Sequence, residues 1–420
     1  MKSRLSLYIG AMLITLLVGV AQFFLEKTNA SQRKGSAHAP RFDVDPLWPK
    51  PLPNHWVLGS VTGVAVDARD HIWITHRGAD SLGNNEKGGI LSPPTGCCVP
   101  APQILEFDQA GNLIGNWGGP GQGFEWPQST GGITVDHKGN VWIAAAGQAE
   151  TATARVPASP SPEDGARPAG PAATAGTPAS PTTPRRQDAH VLKFSSAGQF
   201  LLQIGHAGKV EGSDSKTGLN RPAGVRVDPA TNEIYVADGL GNHRVVVFDA
   251  ETGAYKRHWG AYGSAPDDKS LGPYDPNAPP AKQFRTVSCA AVSKDGLVYV
   301  CDRQNDRVQV FQRDGKFVKE ASVSKATLGD GSVWDIAFSH DPQQRFIYVA
   351  DGHDKRVFVL LRDSLAVVTS FGDGGRLPGQ FYGVGSIAVD SKGNVYTGET
   401  YEGKRVQKFV YKGLVASPGR

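Results

Sequence analysis

Arg77 and Arg303 are the residues of this chain whose type and placement point most directly to chemistry. Each follows a short β-branched and aromatic run, in ITHRG and VCDRQ, where two comparable runs have Gly239 and Gly352. A guanidinium is a planar fork that matches a carboxylate or phosphate, and it binds them best where water is partly excluded. One position earlier the chain has His76 in one run, Asp238, Asp302 and Asp351 in three others, and Glu399 in the last. An imidazole or carboxylate of suitable pKa there could carry a proton. Trp334, beside Asp335, and Tyr401, two residues after Glu399, add aromatic surface. The candidate ligand-binding set is therefore Arg77, Arg303, His76, Asp302, Trp334 and Tyr401. The candidate set for acid–base work is His76, Arg77, Arg303 and Glu399, with no step assigned to any of them. The competing reading pairs each arginine with a nearby Asp or Glu and leaves it no ligand. His76, His243 and His353 all follow such runs, but at different places in the pattern, so their rings need not converge on a metal. The chain has no Gly-rich phosphate loop, CxxC, HExxH or GxSxG element.

These positions gain meaning from a repeat. One strand ends on a Val-Asp-like pair six times: at Asp67, Asp136, Asp228, Ser293, Ser339 and Asp390. A turn follows, then a second strand (HIWITHR, VWIAAAG, IYVADGL, VYVCDRQ, IYVADGH, VYTGETY). A third follows (QILEFD, HVLKFS, RVVVFD, RVQVFQ, RVFVLL, RVQKFV), and often a fourth that ends as NWG, QIG, HWG or SFG. Period-2 alternation with β-branched and aromatic residues marks strands, and four strands per unit mark a propeller blade. The expected fold is all-β, a six-bladed β-propeller over residues 41–413. Arg244, Arg307, Arg356 and Arg405 each open a third strand, and Asp238, Asp302 and Asp351 share one place, so recurrence gives both sets a structural role. Blades one and four face each other across a six-bladed ring, which sets Arg77 and Arg303 on opposite sides of one channel mouth.

The sixth copy lacks a fourth strand. The segment 41–59 ends in HWVLG, which resembles NWG and HWG, so it is expected to complete the last blade and hide two sheet edges. Residues 147–188 are mostly Ala, Pro, Thr, Ser and Gly, and are expected to be a disordered insert leaving blade two. Residues 1–30 read as an export signal: Lys2 and Arg4, an apolar run, and a small-residue cleavage site at Thr28-Asn29-Ala30. The run is also long enough to stay as a membrane anchor. Residues 31–40 are then a linker and 414–420 a tail. The expected location is periplasmic or secreted, with membrane contact only through an uncleaved N-terminus.

The formal charge is +4, and half of it lies in the first thirty residues, where Lys2, Arg4 and Lys27 meet Glu26. That balance points away from nucleic acid. Partners are expected to be a small anionic ligand, a peptide or an extracytoplasmic protein. Cys289 and Cys301 flank a hairpin and could bond; Cys97-Cys98 is a vicinal pair that could form a ring or stay reduced.

The strings GVAVD, IYVADG, NHRVVVF and GNVYTGE resemble NHL repeats. LGSVTGVAVDARDHIWITHRG, NRPAGVRVDPATNEIYVADGLGNHRVVVFD and VYVCDRQNDRVQVF are further similar to the lyase domain that cleaves peptidyl-hydroxyglycine to leave a C-terminal amide. The resemblance implies zinc held by three histidines, with a tyrosine and arginines. The histidine positions fall at about Gly131, Ser288 and Gly385, and the tyrosine position at Leu240, while both arginines stand as Arg77 and Arg303. A catalytic zinc needs about three protein ligands and an open position. The expectation is a lyase-like scaffold whose family zinc ligands are missing; zinc or calcium bound by other residues stays open. Two functions follow: an exported binding module, or a diverged lyase or hydrolase on a small carboxylate or peptide-derived substrate.

Overall fold

In the computed structural model, residues 38–148 and 186–416 are described. The candidate signal 1–30, most of the linker and of the insert, and the end of the tail lie outside them. By contacts the chain divides into Phe42–Tyr411 and a second unit of Met1–Arg41 with Lys412–Arg420. In the second unit the described residues are the outer ends of two strands, His38–Asp45 and Val406–Ala416. The first of these strands begins inside the stretch read as linker, and the second runs into the stretch read as tail.

The larger unit holds six four-stranded antiparallel sheets. Blade one is Val61–Val66, Ile72–His76, Ile104–Phe107 and Leu113–Trp117, from the channel outward. Blade two is Thr130–Val135, Val141–Ala145, His190–Phe194 and Phe200–Gly205. Blade three is Gly224–Asp228, Glu233–Asp238, Arg244–Asp249 and Tyr255–Trp259. Blade four is Val287–Val292, Val298–Asp302, Arg307–Phe311 and Phe317–Ser322. Blade five is Asp335–Phe338, Phe346–Asp351, Arg356–Leu361 and Val367–Phe371. Blade six is Val384–Val389, Val395–Glu399 and Val406–Ala416, closed by the N-terminal His38–Asp45. Each innermost strand lies against those of the two neighbouring blades, so the six close a ring. Among the described residues no helix is long and apolar enough to cross a membrane.

The recurring Val-Asp pair is explained by its turn. The Asp136 carboxylate accepts from the backbone N–H of Lys138 and of Asn140, both at 2.9 Å, and from the Trp142 indole at 3.0 Å. Asp390 does the same with Lys392, Asn394 and the Tyr396 hydroxyl. One carboxylate thus fixes the turn and pins a buried aromatic of the next strand. The apolar faces of adjacent blades then meet in pairs: Trp142 with Val225 and Ile234 between two and three, Tyr299 with Ile336 and Ile347 between four and five.

Closure by the N-terminus uses a different segment from HWVLG. Phe42 of the closing strand packs on Phe371, Tyr348 and Tyr411, with ring centroids 5.0, 5.4 and 5.9 Å away. Trp56–Val57 instead pairs in parallel with Val99–Pro100, in the long loop of blade one. The reason is reach. Four Cα steps separate Val57 from Val61 and span roughly 14 Å only when fully extended, and crossing from an outer to an inner strand already covers three strand spacings, roughly 14 Å, which leaves no slack for a turn. The two ends of the insert are pinned together, since Asp188 accepts from the N–H of Gly147 at 2.7 Å and of Gln128 and Ser129 at 3.2 Å.

Candidate functional site

The first residues of the inner strands and the loops after the second strands enclose a cavity of about 130 Å³ at one mouth of the channel. Arg77, Leu240, Arg303, Trp334 and Tyr401 line it. Its floor is an ion pair across the ring. Arg226 of blade three donates to both oxygens of Asp335 in blade five, at 3.0 and 3.1 Å, and also to the Val225 and Ile133 carbonyls. Arg226 lines a second cavity on the far side as well. The mouth is therefore a blind pocket above a polar plug.

Arg303 lies over the Trp334 indole, 4.5 Å from its centroid, and 4.0 Å from an Asp330 oxygen. Tyr401 donates its hydroxyl to Asp330 at 2.9 Å and meets Trp334 edge-on at 6.0 Å. Among the described residues no carboxylate lies within ion-pair distance of Arg77. The Nε of Arg77 and the Nε of Arg303 are both buried without a hydrogen-bond partner. Burial pulls both guanidinium pKa values down, because it disfavours the charged form. Burial raises the Tyr401 phenol and the Asp330 hydrogen bond adds to this, while the charges of Arg303 and Arg77 act against it. The phenol therefore sits in the field of both guanidinium groups.

Three candidates read from sequence are not at the mouth. His76 is fully buried. Its Nδ1 accepts from the N–H of Gly59 at 3.1 Å and Gly78 at 3.0 Å, and its Nε2 donates to the Pro102 carbonyl at 2.9 Å. Burial depresses its pKa to about 4, so it is a neutral structural ring. Asp302 is buried under Arg307 at 2.8 Å and accepts from the Arg285 N–H and the Asn305 amide. Glu399 is likewise buried and accepts from Arg405, the Tyr382 N–H and the Gln407 amide. Both carboxylates do the work of Asp238, which takes Arg244 at 2.9 Å. Their oxygens are used up inside the blade, so neither is placed for a ligand. His243 and His353 are not part of the cavity wall either.

The sequence reading also missed groups that matter. Arg221, in left-handed backbone at φ +55, reaches the Ala146 and Leu240 carbonyls at 3.3 Å. Burial and the charge of Arg77 both lower its pKa, so it brings a third guanidinium near the mouth. The Arg226–Asp335 plug was legible in principle. GVRVD and DIAFS place opposite charges on inner strands where the other copies have Ala or Thr at the first place and Gly, Cys or Ser at the second.

Gly131, Ser288, Gly385 and Leu240 all line this same cavity. A zinc ion does not fit its donors. No imidazole faces it, Cys289 is bonded to its cross-strand partner Cys301, and the Asp335 carboxylate is held by Arg226. Gly131 has no room for a longer side chain, because a Cβ there would fall 2.8 Å from the Ala223 carbonyl oxygen. Among the described residues, the one trio of possible metal ligands is Asp67, His71 and Glu106. Arg69 already bridges two of these, at 2.9 and 3.1 Å. Cys97 and Cys98 are bonded as a vicinal pair.

Residues 219–248, in blade three, match the NHL repeat family model. The chain is 36% identical over 122 residues to peptidyl-glycine alpha-amidating monooxygenase B of Xenopus laevis, covering 29% of this chain and 12% of that protein. It is 26% identical over 267 residues to the A form of the same species, covering 63% and 22%, and 26% identical over 275 residues to the Mus musculus enzyme, covering 64% and 22%. The chain thus spans less than a quarter of the length of these relatives. A crystal structure of a catalytically inactive variant of virginiamycin B lyase from Staphylococcus aureus with quinupristin covers 89% of both chains, at 12% identity and a TM-score of 0.43.

Proposed function

We propose that this NHL-repeat propeller, related to the amidating monooxygenases, binds an anionic ligand in the mouth between blades one and four. The observation that carries this is a pair of half-buried guanidinium groups, Arg77 and Arg303, each with a buried, unpartnered Nε at one cavity. A buried guanidinium N–H without an acceptor is costly, and a carboxylate or other oxyanion would supply one to each fork. The Trp334 and Leu240 surfaces suit a ligand with an apolar part beside its anionic group. The cavity size favours a small carboxylate or the end of a peptide. Export is part of the proposal, supported by two disulfides, which persist in oxidising compartments.

The test is titration with small carboxylates and short peptides with free C-termini, read by calorimetry and tryptophan fluorescence. Each charge-assisted contact is worth about 1.5–3 kcal/mol, so Arg77→Ala and Arg303→Ala should each weaken binding about 10- to 150-fold. Unchanged affinity in the double variant would overturn the proposal.

A lyase reading rests on one observation, the Tyr401 phenol lying in the field of both guanidinium groups. On that reading Tyr401 would exchange a proton with substrate while the arginines hold its carboxylate. The resemblance to the lyase domain makes peptides ending in α-hydroxyglycine the substrates to try. Turnover that survives chelation but is lost in Tyr401→Phe would favour it over simple binding.

A further inference from the structure

Backbone hydrogen bonds mark one place on the approach to each inner strand. There a carbonyl accepts from the residue that follows the second strand. Ser60 takes the N–H of Arg77 at 3.0 Å, Ser129 that of Ala146 at 2.8 Å, Thr286 that of Arg303 at 2.9 Å and Gly383 that of Thr400 at 2.9 Å. Each of these small residues stands three places before the five-letter run that ends its inner strand, and in blade three that place holds Arg221.

Arg221 stands where blades two and three carry no long side chain of their own. After their second strands they have Ala146 and Gly239, against Arg77 and Arg303 in blades one and four. The Arg221 guanidinium spans the two blades. Its Nε donates to the Ala146 carbonyl and its Nη1 to the Leu240 carbonyl, both at 3.3 Å, and both of those residues line the mouth cavity. Its Nη2 has no hydrogen-bond partner among the described residues, and none of their carboxylates lies within ion-pair distance of it. Asp188 acts on it only through space, because both Asp188 oxygens are held by the N–H groups of Gln128, Ser129 and Gly147. Burial, and after it the charge of Arg77, lowers the Arg221 pKa, so the two guanidinium groups stand in each other's field.

We propose that the mouth takes a dianion, in its simplest form a short dicarboxylate, with one carboxylate shared by Arg77 and Arg303 and the second held by Arg221. This rests on the anion reading of the mouth and adds the second charge to it. Two long bonds to carbonyl oxygens leave the Arg221 charge unmatched, and a carboxylate is the acceptor that fits its fork. A second anionic group also offsets the repulsion between Arg77 and Arg221, which one group placed between Arg77 and Arg303 offsets only in part. The cavity of about 130 Å³ suits a short carbon chain between the two groups. Arg221 is then the residue that selects two charges over one.

The test titrates the full chain by calorimetry with succinate, glutarate and adipate, each against its own monomethyl ester, at neutral pH and low ionic strength. Each ester keeps the carbon chain and loses one charge. The best dicarboxylate should bind about tenfold more tightly than its ester. Arg221→Met should bring that dicarboxylate down to the level of the ester and leave the ester's own affinity unchanged. Equal affinity of acid and ester for all three chains in the wild type would overturn the inference, as would a preference that survives Arg221→Met. If the variant fails to fold, the wild-type comparison still decides. Ester binding that depends on Arg77 and Arg303, with no preference for any diacid, would sink the dianion and leave the anion mouth standing. Binding of neither acids nor esters would sink both.

Discussion

Arg244 and Arg356 occupy the same place in the repeat, and their replacement by methionine should have very different consequences. Arg244 is fully buried, and so is Asp238, which it holds at 2.9 Å. Its other nitrogens donate to the carbonyls of Ser213 at 2.9 Å, Gly218 at 2.6 Å and Ser215. Arg244→Met keeps most of the packing volume but strands a buried carboxylate and three carbonyls. Breaking one side of a buried pair costs about 3–5 kcal/mol, roughly two to three and a half powers of ten in the folding equilibrium. Arg356 makes no ion pair with Asp351, lies partly exposed, and has one long contact to the Asp354 carbonyl. Arg356→Met should therefore cost about 1 kcal/mol or less. The assay is urea unfolding of both variants followed by tryptophan fluorescence, with unfolding rates measured alongside. A double variant, Arg244→Met with Asp238→Leu, should recover most of the loss, since no charge then remains buried. Equal losses at the two arginines would refute the claim that blade five lacks the latch. A loss below about 1 kcal/mol for Arg244→Met would refute the latch itself.

His76 makes a pH prediction. Its folded pKa, about 4, lies below the ordinary value of 6.5. Its contribution to stability is therefore complete above pH ~6.5 and is lost as pH falls through 4. Nitrogen-resolved NMR should show a neutral ring with the proton on Nε2 at pH 5, and an imidazolium signal there would contradict the buried hydrogen bonds. At the channel floor, Arg226→Met should cost about 2–3 kcal/mol by leaving Asp335 unpaired, less than at Arg244 because a fifth of the Arg226 side chain is exposed. Arg226→Met with Asp335→Leu should restore stability, as read by thermal unfolding.

The ring was readable because its parts repeat for reasons visible in single residues. Asp136 and Asp390 need the next two turn N–H groups and a buried aromatic, so the Val-Asp pair, the Lys-Gly-Asn turn and the Trp or Tyr recur together. Closure was readable as a need, but HWVLG imitated an outer strand in composition while the link after it leaves no slack to turn and cross a sheet. At the mouth, departure from the repeat was an incomplete guide. Arg77 and Arg303 do line one cavity. His76 and Glu399 also depart from the aspartate rule, yet they fill its place by other chemistry: one accepts backbone N–H groups, the other still takes an arginine. Arg221 and Asp330 lie in loops whose course no periodicity reveals. The unpaired Asp351 of blade five was hidden because Asp351 and Arg356 match the repeat letter for letter and differ only in where the guanidinium turns.

A propeller admits a functional side chain only where the adjoining blade leaves space for it. The position after the second strand shows this. A Cβ at Gly239 would collide with the Val287 backbone, and one at Gly352 would fall 2.9 Å from the Trp334 indole. Blades three and five therefore keep glycine there for steric reasons, while blades one and four carry guanidinium groups. The same indole has two effects. It bars a side chain at Gly352, and it presents a face on which Arg303 lies at 4.5 Å. The Arg226–Asp335 pair closes the space beneath, so an anion entering the mouth meets fixed charges with little water behind them, where their attraction is strongest. A Trp334→Ala chain should lose affinity through Arg303 alone, with Arg77 still bound to its share of the ligand. Loss of both contacts together would mean that the indole holds up the whole mouth.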